Sequence, residues 1–286
     1  MGNNVAYIDC RSIADEINRD TDNMIHLVKK WHPDFNGPAI MFYGYPDEPE
    51  NRIFSNGLRK DAEALGISVY TDPRDEDFDG FITFYSNTKA VPIFMIGSIE
   101  KLDVDSANSW GTSAVTEAVW RTILKTHLER LTGKFVLVVG RGVVGRSICN
   151  VVRSYHALGP EKGLVASDDV VTCITNSKTD PDRLYNLMEA ADIIITAASP
   201  DVKFKMDFRY GSKERFPDTT TIIDVGNNID HSSFTGTTYN RNIVVTPAKG
   251  GVGVITRAIV LNRIALNTIH RFALNQLGYV EKDHDN

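Results

Sequence analysis

The segment VLVVGRGVVGRSI, Val136 to Ile148, restricts the possible folds more than any other stretch. An apolar, β-branched run reads as a buried strand. Gly140, Arg141, Gly142, Val143, Val144 and Gly145 then spell G-x-G-x-x-G, after which apolar residues return at helical spacing. In this context Gly140 permits a tight turn. Gly142 lets the backbone approach a pyrophosphate, and Gly145 lets helix and strand pack closely. The helix N-terminus adds N–H donors and the positive end of its dipole for an anion. A further strand, predicted over Val170–Thr175, completes the βαβ context that the motif needs. The expectation is a Rossmann-like domain, with Arg141 and Val143 among its contacts.

The end of that second strand should select the cofactor. NAD sites carry an acid there for the ribose hydroxyls. This chain has Thr175, Asn176, Ser177, Lys178 and Thr179, with no acid before Asp180. Ser177 and Lys178 suit a 2′-phosphate, and Arg141 adds a cation. NADP is expected in preference to NAD.

Elsewhere, helical and strand patterns alternate, implying βαβ units and parallel sheets. Before the glycine turn, helices are predicted over Arg11–Trp31, Glu50–Leu65 and Thr112–Leu131, and strands over Pro38–Tyr43, Ile67–Tyr70 and Gly80–Tyr85. After it, strands are predicted over Asp192–Thr196, Thr221–Val225 and Ile243–Thr246, and a helix over Ile255–Leu277 that packs back on the first domain. The fold class is α/β with two domains: an N-terminal α/β substrate domain, 1–120, completed by 257–286, and a parallel-sheet dinucleotide-binding domain, 121–256.

Composition narrows the function. A net charge of −6 argues against a broad basic surface for nucleic acid. No apolar run reaches the roughly 20 residues of a membrane helix. The N-terminus has no signal-peptide core. Cys10, Cys149 and Cys173 read as free thiols of a reducing compartment, so the expected location is cytoplasmic. The scattered histidines show no ligand spacing, and no metal is expected.

Five ordered segments carry a resemblance. GKFVLVVGRGVVGRS, VVTCITNSKT, ADIIITAASP, IIDVGNN and TPAKGGVGVIT resemble, in order and spacing, the motifs of methylenetetrahydrofolate dehydrogenase/cyclohydrolases. YIDCRSIADEI, PAIMFYGYPDEPENRIF, KDAEALGI, DGFI and LDVDS fit the N-terminal half more loosely. The resemblance implies a folate substrate in a cleft between two domains, and a homodimer. It also implies cofactor contacts at Thr112, Ala198, Asn227 and Thr256. On the substrate side it implies Gly250, Gly251 and Val252; Tyr43 is a further candidate, although strand-end aromatics are more often packing.

The departures from the family bear on mechanism. Counting back from Gly66, the family's Y-x-x-x-K falls on Phe54 and Leu58, and its catalytic-loop glutamine falls on Phe84. The acid of K-D-V-D-G remains as Asp105. Leucine cannot move the protons that opening a methenyl ring with water requires. Hydride transfer demands chiefly orientation. The expectation is therefore an NADP-dependent oxidoreductase acting at a cyclic C=N carbon without cyclohydrolase activity. The alternatives are a reductase of a non-folate cyclic imine, or a catalytically inactive cofactor-binding protein.

Overall fold

The computed structural model describes residues 5–43, 49–70, 80–83, 93–96, 103–104, 112–127, 131, 133–157, 171–176, 179–206, 217–234 and 241–277. Along the chain, β1 is Val5–Tyr7, α1 Cys10–Trp31, β2 Ala39–Tyr43, α2 Pro49–Ala64, β3 Ser68–Tyr70, β4 Gly80–Thr83, β5 Ile93–Ile96 and β6 Asp103–Val104. Then follow α3 Ala114–Thr126, β7 Phe135–Val139, α4 Val143–Ala157, β8 Val171–Thr175, α5 Pro181–Ala190 and β9 Ile193–Thr196. The chain continues with β10 Thr219–Asp224, a 3-10 turn at His231–Phe234, β11 Asn242–Val245 and α6 Val252–Gln276.

The chain forms two compact units: Met1–Ile13 with Val115–Ile255, and Ala14–Ala114 with Thr256–Asn286. In the first unit all six strands are parallel, in the order β1-β11-β10-β9-β7-β8. The central strands are covered on both faces, so Val136–Val139, Ile193–Ile195, Ile222 and Ile223 have no exposed surface. Leu184 and Met188 of α5 close one side of this core.

β1 corrects the sequence-based domain assignment, which placed the N-terminus in the other domain. Val5, Ala6 and Tyr7 pair with Ile243, Val244 and Val245 of β11. Three partly exposed residues at a sheet edge carry no readable periodicity.

In the second unit the order is β3-β2-β4-β5-β6, but only β2, β3 and β4 are parallel. These three are the strands expected from sequence, whereas β5 and β6 were not predicted, and β4–β5 and β5–β6 are antiparallel. A parallel pair needs a crossover of about a dozen residues or more. Only nine residues separate β4 from β5 and six separate β5 from β6, too few for that return.

Two helices differ from expectation. α3 spans Ala114–Thr126 rather than Thr112–Leu131. At its end the hydroxyls of Thr122 and Thr126 bond back to Ala118 and Thr122 carbonyls, competing with continued helix. α6 starts at Val252, before the expected Ile255, and is long and apolar enough to cross a membrane. Its Ala258, Ile259, Val260, Leu261, Ile264 and Ala265 are nevertheless buried within the protein, the pattern of a core helix.

Candidate functional site

The glycine turn lies where the strand order reverses. β7 has β8 on one side and β9 on the other, and their carboxyl ends flank Gly140. The Gly140 N–H donates to the Thr175 carbonyl at 2.9 Å, and the Ala197 N–H donates to the Val139 carbonyl at 2.8 Å. Gly140 has φ +130°, and a Cβ there would overlap the Ala197 carbonyl. Gly145, buried in the first turn of α4, has the Gly140 carbonyl oxygen where its Cβ would be. At Gly142 a Cβ would meet nothing within 4 Å. The turn is therefore closed on the protein side and open at Gly142, where the unpaired N–H groups of a helix N-terminus point outward. Arg141, Gly142 and Val143 are exposed there.

The loop after β8 is tied by a 2.7 Å hydrogen bond between the Thr175 and Thr179 hydroxyls. Asp180 caps α5, its carboxylate accepting from the Arg183 N–H at 3.0 Å. Ser177 and Lys178 lie outside the described residues, as do Phe84 and Asp105. For Tyr43 only its place as the last residue of β2 is described.

A brace behind the loops after β9 and β10 was not anticipated. Asn228 is fully buried. Its Oδ1 accepts from the Ala198 N–H at 3.0 Å, and its Nδ2 donates to the Ser199 and Val202 carbonyls at 2.9 Å. Asp224 accepts from the Asn228 N–H at 2.7 Å, the Ile229 N–H at 2.9 Å and the Thr196 hydroxyl at 2.9 Å. Asn227, the expected contact, is exposed at φ 53°, and its carbonyl accepts from Lys203 Nζ. In the doubled asparagine, the left-handed position and the buried amide are neighbours that sequence alone does not separate.

Further along the same edge, Gly250 has φ +76° and faces Arg11. A Cβ at Gly251 would lie 2.7 Å from the Pro247 carbonyl. Val252 is buried at the start of α6. Cys10 is also buried, and that burial, with the neighbouring Asp9, pushes its thiol up to about 12, so it is not a nucleophile.

In the second unit, Phe54, Gly57, Leu58 and Asp61 form one stripe of α2 at spacings of three and four. Leu58 is fully buried. The neighbouring cations face elsewhere: Arg59 lies over the Phe42 ring at 5.1 Å and Lys60 is exposed. Arg257 of α6 meets this stripe, its Nε donating to Asp61 at 2.7 Å and its Cζ lying 6.0 Å from the Phe54 ring centre. Gly57, Asp61 and Arg257 were not singled out from sequence. The available signal was one arginine opening an otherwise apolar run, RAIVL. Thr256 is buried. Thr112 precedes α3 by two residues, and its buried hydroxyl has no partner among the described residues, so it does not cap that helix.

A parallel sheet with a glycine turn at its switch point, tight beneath and open above, defines a dinucleotide-binding domain of Rossmann type. Residues 113–272 match the model of the tetrahydrofolate dehydrogenase/cyclohydrolase NAD(P)-binding domain. The chain belongs to the tetrahydrofolate dehydrogenase/cyclohydrolase family. It is 27% identical over 248 residues to the bifunctional protein FolD of Clostridium kluyveri, covering 82% of this chain and 79% of that one. It is 30% identical over 190 residues to the human mitochondrial bifunctional methylenetetrahydrofolate dehydrogenase/cyclohydrolase 2, covering 62% of this chain and 50% of that one. Its fold is similar to that of a methylenetetrahydrofolate dehydrogenase from the silkworm Bombyx mori (TM-score 0.65, 20% identity, 94% and 99% of the chains covered). It is also similar to the Trypanosoma brucei FolD complexed with NADP and an inhibitor (TM-score 0.67, 16% identity, 94% and 98% covered).

Proposed function

We propose that this protein is an NADP-dependent methylenetetrahydrofolate dehydrogenase that does not hydrolyse the methenyl product. The observation that carries this reading is Leu58. At the position to which the count from Gly66 assigns the family's lysine, this chain has a fully buried leucine. Along the same stripe of α2, Phe54 and Gly57 have no transferable proton, and Asp61 is held by Arg257. Water-driven ring opening needs a proton donor and acceptor at the reacting carbon. Hydride transfer needs the two carbons held face to face.

The cofactor residues follow from the turn. The open side of Gly142 and the first turn of α4 would take the pyrophosphate. Ala198 and Asn227 stand on loops that Asn228 fixes, and Thr112 and Thr256 would add hydroxyls. NADP, when bound, supplies the nicotinamide that accepts the hydride. Asp180 supports NADP over NAD because, as the cap of α5, it does not serve as a ribose-binding acid. Lys178, Ser177 and Arg141 would take the 2′-phosphate. Asp105, Tyr43, Phe84 and the Gly250–Val252 turn would shape the acceptor side.

The test is a progress curve on purified protein with methylenetetrahydrofolate and NADP. Methenyltetrahydrofolate should accumulate with NADPH and decay no faster than in buffer. Enzyme-dependent appearance of formyltetrahydrofolate would overturn the reading. A second reading, reduction of a non-folate cyclic imine, is favoured by the apolar character of Phe54 and Leu58. Turnover of such an imine, with none on the folate, would select it.

A further inference from the structure

Arg257 is the first charged residue of α6, and its side chain is only 17% exposed. A guanidinium has N–H donors along two edges. The Nε edge is held by Asp61 at 2.7 Å. The group lies flat on Gly57, where an added Cβ would come within 2.8 Å of Cζ and 2.9 Å of Nη1. The Phe54 ring backs it at 6.0 Å. Among the described residues the Nη1 and Nη2 atoms have no hydrogen-bond partner. As a packing device this arrangement is poor. It desolvates a cation and fixes a long side chain for one ion pair, and an aliphatic pair would join the helices at lower cost.

We propose that Arg257 is a substrate-binding residue whose Nη edge takes an oxygen acceptor, a carbonyl or carboxylate, on the substrate's ring system. This rests on the reading above that the Phe54 face of α2 belongs to the acceptor side. Asp61 and Gly57 are positioning residues: one fixes the Nε edge, and the other provides the flat seat by having no side chain. The substrate class is thereby narrowed to cyclic C=N compounds that bear a ring-attached oxygen, as a pterin does, and excludes bare cyclic imines. Arg257 is assigned to binding and orienting the substrate through its planar fork of donors.

The test measures tetrahydrofolate binding by calorimetry for wild type, R257M, R257K and G57A. NADPH binding, melting temperature and methylenetetrahydrofolate turnover are recorded beside it. Losing a charge-assisted hydrogen bond should weaken tetrahydrofolate by about tenfold or more in R257M, with a smaller loss in R257K. G57A keeps Arg257 and Asp61 but displaces the guanidinium, and should also weaken tetrahydrofolate. NADPH affinity should stay within about twofold, because neither Arg257 nor Gly57 is among the residues assigned to the cofactor. If R257M does not fold, R257K and G57A carry the test. Unchanged tetrahydrofolate affinity in the folded variants, equal weakening of NADPH, or no tetrahydrofolate binding by wild type would each overturn the proposal. Binding that follows the expected pattern without any turnover would overturn the dehydrogenase reading alone.

Discussion

Two adjacent asparagines should respond very differently to substitution. Asn228→Ala removes three side-chain hydrogen bonds, to the Ala198 N–H and to the Ser199 and Val202 carbonyls. At about 1 kcal/mol net for each bond, the loss is about 3 kcal/mol. Ser199 is exposed, so its carbonyl rehydrates and moves the value toward about 2 kcal/mol. The Ala198 N–H is partly buried and moves it toward about 4 kcal/mol. With a urea slope of about 2–3 kcal/mol/M, the unfolding midpoint should fall by about 1 M or slightly more. Asn227→Gly is the matched control. Its side chain is exposed and its φ of 53° suits glycine, so stability should hold within about 0.5 kcal/mol. The assay is urea unfolding followed by circular dichroism, with NADPH binding at each variant. If N228A costs less than about 1 kcal/mol, the amide is not the brace described here. If N227G weakens NADPH severalfold while stability is kept, the Asn227 side chain itself touches the cofactor.

Gly140→Ala places a methyl against the Ala197 carbonyl at φ +130°, so NADPH binding should fall below detection or the protein should fail to fold, as read by fluorescence titration and soluble yield. Asp180→Ala should cost about 1 kcal/mol through the lost cap of α5 and leave the NADP-to-NAD preference unchanged, whereas Lys178→Glu should move that preference toward NAD. Burial lowers the pKa of His127 and His231 below 6.5 in the folded state, with Lys134 adding to the effect at His127. Below about pH 6.5 the unfolded chain takes up protons that the folded chain does not, so stability should fall as pH drops from 7 toward 5, and His127→Asn should flatten that decline in thermal melts.

The parallel-sheet unit was legible because its signal is local. A doubly buried strand, a glycine turn and a helix are consecutive in Val136–Ile148, and the three roles assigned to Gly140, Gly142 and Gly145 depend on neighbours within a few residues. β1 and the antiparallel β5 and β6 were not legible. Strands of two to four residues are defined by their pairing partners, and β1's partner lies more than two hundred positions away. The same division holds for chemistry. The count back from Gly66 sets Phe54 and Leu58 on one stripe of α2, because a helix preserves count. Arg257 could not be linked to Phe54 and Gly57, since nothing in RAIVL says which helix it meets. A chain can thus lose a cation from one segment and present another from a distant one, and a motif scan registers only the loss. Leu58 by itself points to a cleft that has gone apolar. Leu58 together with Arg257 describes a stripe of α2 whose cation comes from α6 and is paired with Asp61.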